Sequence, residues 1–305
     1  MESVPEENPG RFLFVHYLSE NYERQNQKIM ELRNIRVAIQ GSKASFHDEA
    51  AKTYFGPGVE IIFCKNFEES CEALASNRVD YTVMAMGNSI AGNILPNYEL
   101  VLKHKLKVMA EVYRKIALHL IGIPETNKTE IRRICSHPMA LLQCASFIDS
   151  LERVEVVEGG DTALCVREIA DLKLLDTAAI AGYQAVEEYG MQILQENIHS
   201  HAQNYTRFWV LSKGEVLPEN VNKASLSFTL KDEAGSLADI LFIFRSEGLN
   251  LSSIQSVYLP EGSRFRFYAD VEFSYRPKFL RSLQAIIRTA EEVKILGEYK
   301  RDLIP

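Results

Sequence analysis

Apolar and polar positions between residues 35 and 212 change period repeatedly, and this predicts alternating strands and helices. The short apolar runs "IRVAI", "VEIIFC" and "VDYTVMAM" are typical of buried strands, and amphipathic helical segments separate them. Ser45, with Asp48 three residues later, has the spacing of a helix N-cap, and "GPG" predicts the end of that helix. The order β-α-β-α-β is typical of a parallel sheet covered by helices.

A second α/β set follows and returns to a late strand. "KVMAEVY" and "KIALHLIG" predict adjacent strands, and "IRRICSHPMALLQCASFI" predicts a strand, a turn and a helix with Pro138 at its first position. "VEVVE" and "AAIAG" predict strands, "TALCVREIADL" and "YQAVEEYG" predict helices, and "YTRFWVLS" predicts the last strand. We therefore expect two lobes with a ligand cleft beyond the carboxyl ends of the strands.

The pattern changes after "KGEVLPENVNK", a polar segment with Gly and Pro that predicts a linker. "ASLSFTL" alternates with period two, and the next segment has helical spacing, with Ser236 and Asp239 at capping-box positions. The later strands and helix complete a βαββαβ order, which is the ferredoxin-like arrangement. Residues 1–34 are expected to form an extension of unknown role, with a loose helix around "YLSENYERQNQKIMEL".

Composition narrows the class of protein. A chain of 305 residues suggests about two domains, and a net charge of −7 argues against a general nucleic-acid binder. The five cysteines are odd in number and have no C-x-x-C spacing, so we expect a reducing cytosol without disulfides or a zinc site. No apolar run reaches membrane-spanning length, and "MESVPEENPG" does not resemble a targeting signal. We therefore expect a cytoplasmic protein without a membrane partner.

Three turns are predicted to open helices after buried strands: "GSKAS", "GNSIAG" and "SHP". Helix N-termini favour anions, although simple capping explains any single turn. Together with Thr206 and Arg207, the three turns favour a small ligand with carboxylates. Arg207 has the alternative of a buried ion pair, and His137 has the alternatives of a proton-transfer role and of capping its own turn. The chain has no GxGxxG after its first strand, no GxSxG and no metal-ligand spacing, so a nucleotide cofactor and a metal are disfavoured.

The chain resembles the prephenate dehydratases that carry a C-terminal ACT domain. Six segments carry the resemblance: "VAIQGSKASFHDEAA", "DYTVMAMGNSIAG", "SHPMALLQC", "AAIAGYQAVEEYG", "NYTRFWVL" and "AGSLADILFIFRSEGLNLSSIQS". The resemblance implies a two-lobed, periplasmic-binding-protein-like α/β unit over residues 35–213, a linker over 214–223 and a ferredoxin-like ACT domain over 224–301.

The same resemblance implies an activity and its residues. Prephenate would lose water and CO₂ to give phenylpyruvate without a cofactor or metal, Thr206 being the proposed acid. The implied substrate-binding residues are Ser45, Asn88, Ser89, Ser136, His137, Gln143, Thr162, Asn204, Arg207 and Phe208. L-phenylalanine would act as inhibitor at Gly235, Ser236, Leu237, Asn250, Leu251, Gln255 and Ser256. A homodimer or homotetramer is also implied.

Departures from the family pattern keep two alternatives open. Gly87 stands where the family has a glutamate, and the E-S-R-P segment of the ACT domain is "QSVY" here. Ala85, Ser42 and Ala44 also differ from the usual proline, proline and glycine. A catalytically weak homologue that binds phenylalanine or prephenate is one alternative, and substituting Gly87 by glutamate would then raise activity. The other alternative is an arogenate dehydratase.

Period-two alternation places Thr206 and Phe208 on one face of the last strand and Arg207 and Trp209 on the other. We expect Thr206 on the substrate side. Arg207 would then reach the cleft only around the end of the strand, or else tie the strand to a neighbouring acid.

Overall fold

The computed structural model describes residues 35–215, 218, 220–260 and 262–304, so the predicted helix within residues 1–34 lies outside the described residues. The strands are β1 (Arg36–Gln40), β2 (Glu60–Cys64), β3 (Tyr81–Asn88), β4 (Gly92–Asn93), β5 (Lys107–Lys115), β6 (His119–Gly122), β7 (Arg133–Ser136), β8 (Glu155–Glu158), β9 (Thr177–Ala181), β10 (Gln192–Gln195), β11 (Tyr205–Ser212), β12 (Lys223–Lys231), β13 (Asn250–Leu259), β14 (Arg264–Glu272) and β15 (Glu292–Tyr299). The helices are α1 (Phe46–Phe55), α2 (Phe67–Ala75), α3 (Leu95–Lys103), α4 (Pro138–Gln143), α5 (Ala145–Ile148), α6 (Thr162–Leu172), α7 (Tyr183–Tyr189), α8 (Ser236–Ser246) and α9 (Arg276–Thr289), with a 3₁₀ turn at Lys128–Glu130. In these ranges no helix combines the length and the apolar character that a bilayer crossing requires.

The first lobe is a mixed sheet in the order β2-β1-β3-β11-β5. Strands β1, β2 and β3 are parallel, as predicted, and β11 runs antiparallel to β3 and β5. Helix α1 begins at the predicted cap, where the Ser45 hydroxyl accepts a hydrogen bond of 3.3 Å from the backbone N–H of Asp48. The late strand β11 is therefore inserted between β3 and β5, inside the sheet that the first half of the chain builds.

The second lobe is a sheet in the order β10-β6-β9-β7-β8. The prediction of adjacent strands at "KVMAEVY" and "KIALHLIG" is wrong, because β5 belongs to the first sheet and β6 to the second. Ile116 and Leu118, between them, are buried in the core of the second lobe, so the chain crosses from one lobe to the other there. This crossing and the return before β11 leave a cleft between the lobes.

The segment "GNSIAG" forms a hairpin turn, and the prediction that it opens a helix is wrong. Gly87 pairs with Asn93 and Asn88 with Gly92, so β3 and β4 are antiparallel. The Asn88 side-chain oxygen accepts hydrogen bonds from the backbone N–H groups of Ile90 and Ala91, which closes the turn. Helix α3 begins only at Leu95, so Asn88 and Ser89 do not lie at a helix N-terminus.

The C-terminal unit has the predicted βαββαβ order and a sheet ordered β13-β14-β12-β15. Its two helices cover one face of the sheet. The other face packs on the first lobe, where Trp209 and Leu211 share a core with Tyr268, Leu296 and Tyr299. The predicted capping box of α8 does not form: Gly235 occupies the N-cap position, and the Ser236 hydroxyl donates to the carbonyl of Lys231.

Candidate active site

A cavity of about 580 Å³ lies between the two lobes, within the size range of roughly 300–1,000 Å³ typical of small-molecule sites. The first lobe contributes residues that follow the carboxyl ends of β1, β2 and β3 together with two residues of β11. The second lobe contributes the starts of α4 and α6. The polar side chains that line the cavity, from both lobes, include Gln40, Ser45, His47, Lys65, Asn66, Asn88, Asn93, His137, Gln143, Asp161, Thr162 and Thr206. The cavity therefore lies at the strand ends, where the α/β pattern predicted a ligand.

Thr206 and Phe208 line this cavity from β11, as period-two alternation predicted. The Thr206 hydroxyl oxygen accepts a hydrogen bond of 3.1 Å from the side-chain amide of Asn88. Among the described residues its proton has no protein acceptor, so the hydroxyl is available to donate to a bound molecule. The geometry is that of a hydrogen-bond donor whose oxygen is already held in place.

Three amides form a closed ring below Thr206. The amide of Asn88 donates to the side-chain oxygen of Asn204 (2.7 Å), Asn204 donates to Gln143 (2.8 Å), and Gln143 donates back to Asn88 (3.4 Å). Asn204 is fully buried, and Gln143 belongs to the second lobe whereas Asn88 belongs to the first. The ring therefore connects the lobes and fixes the amide that holds the Thr206 hydroxyl.

The turn before α1 is closed over a carboxylate of the second lobe. Asp161 accepts hydrogen bonds from the backbone N–H of Ser42 (2.8 Å) and from the Ser42 hydroxyl (3.2 Å), and its other oxygen caps α6 at Ala163. A Cβ atom on Gly41, whose φ is +106°, would lie 2.5 Å from this carboxylate, so glycine permits the approach. The anion site expected at this turn is therefore occupied by a carboxylate of the protein itself, which makes a second connection between the lobes.

His47 lines the cavity from the first turn of α1. Its Nε2 accepts a hydrogen bond of 3.3 Å from the backbone N–H of Ala85, and its ring contacts those of Phe67 and Phe208. Burial lowers the pKa of this imidazole to about 4, a shift that Asp161 opposes and His137 assists. At neutral pH His47 is therefore uncharged, and because Nε2 accepts, its proton is carried on Nδ1.

Two side chains that line the cavity carry opposite charges: the ammonium group of Lys65 and the carboxylate of Asp161. Lys65 follows β2, and its ammonium group has no carboxylate partner within the described part of the chain. Across the cleft, His137 accepts a hydrogen bond of 3.2 Å from the backbone N–H of Met139 through Nδ1, so this histidine caps its own turn. Because no carboxylate in the described part of the chain holds its ammonium group, Lys65 can pair with an anionic ligand.

Four of the predicted substrate-binding residues do not line the cavity. Ser136 is fully buried and its hydroxyl donates to the carbonyl of Ile180, while Ser89 faces outward and ties the hairpin to β11. Asn204 lies behind Asn88 in the amide ring. Arg207 is on the opposite face of β11, where it forms ion pairs with Glu111 and Asp270. The other predicted residues line it: Ser45, Asn88, His137, Gln143, Thr162, Thr206 and Phe208.

The predicted effector residues lie at two ends of the C-terminal sheet. Gly235, Ser236 and Leu237 follow the end of β12, whereas Asn250 and Leu251 begin β13. Both strands are antiparallel to β14, with Lys231 opposite Arg264 and Asn250 opposite Glu272. Nine-residue strands therefore separate the two groups by roughly 25–30 Å, with Gln255 and Ser256 between them on β13. One copy of the chain does not bring these residues into one site.

The site residues that the sequence pattern did not predict each have a local signal. Asp161 precedes the predicted helix "TALCVREIADL", where an aspartate is a common N-cap. Lys65 and Asn66 follow the carboxyl end of β2, which is the position of ligand-binding residues in parallel sheets. His47 is the second residue of a correctly predicted helix, but the sequence does not show that the first turn of this helix faces the cavity.

Comparisons with known proteins agree with this architecture. Residues 37–216 match the family model described as prephenate dehydratase. Arogenate dehydratase/prephenate dehydratase 1, a chloroplastic protein of Arabidopsis thaliana, is 31% identical over 288 residues, which cover 88% of this chain and 73% of that protein.

Two solved structures have the same fold. GqqA, described as a novel type of quorum quenching acylase, superposes with a TM-score of 0.79 at 27% identity, covering 88% of this chain and 98% of that chain. The prephenate dehydratase of Arthrobacter aurescens in complex with L-Phe gives a TM-score of 0.79 at 24% identity, covering 89% of this chain and 93% of the other. The family model spans more than half of the 305 residues and the Arabidopsis relative most of them, so the chain belongs to the prephenate dehydratase family.

Proposed function

We propose that this protein is a lyase that converts prephenate to phenylpyruvate in phenylalanine biosynthesis, and that Thr206 is its general acid. The observation that carries the proposal is the Thr206 hydroxyl, held by Asn88 and directed into the cavity between the lobes. Prephenate is a dianion with a ring hydroxyl, and the cavity offers Lys65 to a carboxylate and Thr206 to the hydroxyl. Lys65 and Thr206 thus supply two of the contacts that this reaction needs.

The reaction requires one proton to be delivered. Thr206 donates it to the ring hydroxyl, which leaves as water, and the electron pair of the bond to the ring carboxylate moves into the ring as CO₂ departs. Negative charge then develops on the Thr206 oxygen, where the amide of Asn88 donates a hydrogen bond. Aromatisation of the ring drives the step, so the protein chiefly has to bind, orient and protonate.

Regulation by L-phenylalanine is part of the proposal and involves a second copy of the chain. Strand β13 is an edge strand, and Ile254 and Tyr258 on it are exposed, as are Leu241 and Phe242 on α8. Antiparallel pairing of two β13 edges would bring Asn250 of one copy to the end of the other copy's sheet, next to its Gly235 loop. The effector site would then lie between copies, in a homodimer or a larger homo-oligomer.

An assay of the purified protein for phenylpyruvate formation from prephenate tests the proposal, with arogenate and L-phenylalanine as separate arms. Thr206→Val keeps the size of the side chain and removes the hydroxyl, so we expect kcat to fall by about 10²–10⁴. Thr206→Ser is the matched control and should retain most of the activity. Full activity of Thr206→Val would show the mechanism to be wrong, and turnover of arogenate alone would assign the other substrate.

A further inference from the structure

A cluster of four charged side chains is buried between the first lobe and the C-terminal unit. Arg207 and Glu111 come from the first lobe, and Lys223 and Asp270 come from the C-terminal sheet. Their exposed fractions are 7%, 3%, 2% and 3%. Buried charges are costly unless they are paired, and the two positive and two negative groups of this cluster balance. Such a cluster calls for a reason beyond holding two surfaces together.

Within the cluster, the Arg207 guanidinium group donates hydrogen bonds to residues of both the first lobe and the C-terminal unit. Arg207 Nε donates to Glu111 (2.7 Å), which also accepts from the ammonium of Lys223 (2.9 and 3.0 Å). Arg207 Nη1 donates to Asp270, and Arg207 Nη2 donates to the hydroxyl of Tyr299 (2.8 Å). Every nitrogen of the guanidinium group is therefore engaged, and two of the three partners belong to the C-terminal unit.

Hydrogen-bond directions close part of this cluster into a ring. The Ser225 hydroxyl donates to Asp270, so the Tyr299 hydroxyl must donate to Ser225 while it accepts from Arg207. Asp270 accepts from Arg207 through its other oxygen. Burial lowers the pKa of the guanidinium group, but the carboxylates of Asp270 and Glu111 raise it by more, so Arg207 is charged. The ring leaves Arg207 a single orientation.

The position of Arg207 on β11 explains what this orientation controls. Arg207 follows Thr206 directly in the sequence, and the two side chains lie on opposite faces of β11. The pairing of β11 with β3 is irregular at this point, because Arg207 is opposite Gly87 whereas Phe208 is opposite Ala85. On its other side β11 pairs with β5 in regular register here, with Thr206 opposite Arg114 and Arg207 opposite Tyr113, so the irregularity concerns the β3 side alone. The Arg207 anchor adds a side-chain constraint at the residue where the ladder to β3 shifts.

We propose that Arg207 is a positioning residue for Thr206, and that the ring of Arg207, Tyr299, Ser225 and Asp270 makes the C-terminal unit a working part of the active site. The proposal rests on the proposed function, since its kinetic consequence is expressed in the dehydration of prephenate. The link itself is a property of β11 and has a readout that needs no turnover.

Tyr299→Phe tests the link at a distance from the cavity. It removes one hydroxyl from the hydrogen-bonded ring and keeps the buried aromatic side chain. A displacement of one ångström can cost about 10²-fold in rate, so we expect kcat to fall roughly tenfold with KM within about twofold of the wild type. Tyr268→Phe is the matched control: its hydroxyl donates to Glu99 across the same interface and, among the described residues, has no hydrogen bond to Arg207 or β11. It should leave kcat unchanged.

Hydrogen–deuterium exchange of the amides of residues 204–209 separates the two proposals. We expect faster exchange there in Tyr299→Phe than in the wild type and in Tyr268→Phe. Equal exchange in all three proteins, or equal kcat for the two variants, would overturn the positioning role. If the wild type does not turn over prephenate, the proposed function fails and the exchange comparison alone decides the link. If Tyr299→Phe does not fold, Ser225→Ala opens the same ring at the next bond and takes its place.

Discussion

Asn88 uses both ends of its side-chain amide around Thr206. Its nitrogen donates to the Thr206 hydroxyl oxygen, to the carbonyl of Tyr205 and to Asn204, and its oxygen accepts from the hairpin backbone and from Gln143. A side chain with this many partners has one orientation. The weak acidity of a threonine hydroxyl is thus offset at the residue scale by a neighbour that can only donate to its oxygen.

His47 should make the stability of the protein depend on pH. Its pKa is about 4 in the folded state and ordinarily 6.5, so the unfolded state binds the proton first as pH falls. The stability that depends on His47 being neutral is fully present above pH 6.5 and is lost as the pH falls from 6.5 to about 4. We expect the free energy of unfolding of the wild type to fall by about 2–3 kcal/mol more than that of His47→Gln between pH 7 and pH 4. Urea titrations at both pH values measure this, and parallel losses would contradict it.

The faces of β11 could be predicted from the sequence, whereas the partners of its side chains could not. Period two correctly placed Thr206 in the cavity and Arg207 away from it. Glu111 and Asp270 are 96 and 63 residues from Arg207 in the sequence, and no local pattern relates residues at such separations. The sequence offered an ion pair as one of two roles for Arg207, and tertiary packing selected it.

At the scale of elements, the start of α1 and the end of α7 are predicted correctly, whereas the capping box of α8 and the turn at "GNSIAG" are not. Helix α1 starts at its Ser45 cap, and α7 ends at Gly190 in a left-handed conformation. "GNSIAG" was mispredicted because Gly, Asn and Ser favour both hairpin turns and helix starts. The choice between them is made by β11, since the Ser89 backbone N–H donates to the carbonyl of Tyr205. That strand lies more than a hundred residues later in the chain.

Gly87→Glu, which would restore the residue usual in the family, should not raise activity by itself. A Cβ atom at Gly87 would lie 2.6 Å from the side-chain oxygen of Asn93 and 3.2 Å from the carbonyl of Gly92. Asn93 also lines the cavity and donates to Ser253 of the C-terminal unit, so its displacement has consequences. We expect Gly87→Glu to lower the free energy of unfolding by about 1–3 kcal/mol without a gain in kcat.

Asn93→Ala is the matched change for this experiment, because it removes the atom that Gly87→Glu would displace. The two substitutions together should cost less than the sum of their separate effects, and chemical denaturation of the four proteins measures the difference. A single Gly87→Glu variant with wild-type stability and higher kcat would instead support the alternative of a catalytically weakened homologue.

At the scale of the whole molecule, two lobes and a ferredoxin-like unit could be predicted, but their contact could not. Strand β12 alternates apolar and polar residues, a pattern that usually marks one buried and one solvated face. Here Ser225, Ser227 and Thr229 are buried as well, and Ser225 joins the interface with the first lobe. Polar residues at period two do not reveal that a second surface covers them. The C-terminal unit is consequently more closely integrated than its separate fold suggests.

The shared core makes a further expectation of the whole chain. Trp209 and Leu211 of the first lobe pack in one cluster with Tyr268, Leu296 and Tyr299, so each unit would lose this shared part of its core if the other unfolded. We expect calorimetry to show one cooperative transition for the first lobe and the C-terminal unit, because separate unfolding would expose this apolar surface and the buried charges together. Trp209 is the single tryptophan of the chain and is fully buried at this contact, so its fluorescence reports the interface. The midpoint of thermal unfolding measured by this fluorescence should coincide with the midpoint measured by far-UV circular dichroism. A fluorescence change at lower temperature, followed by a second calorimetric transition, would show that the two units unfold independently.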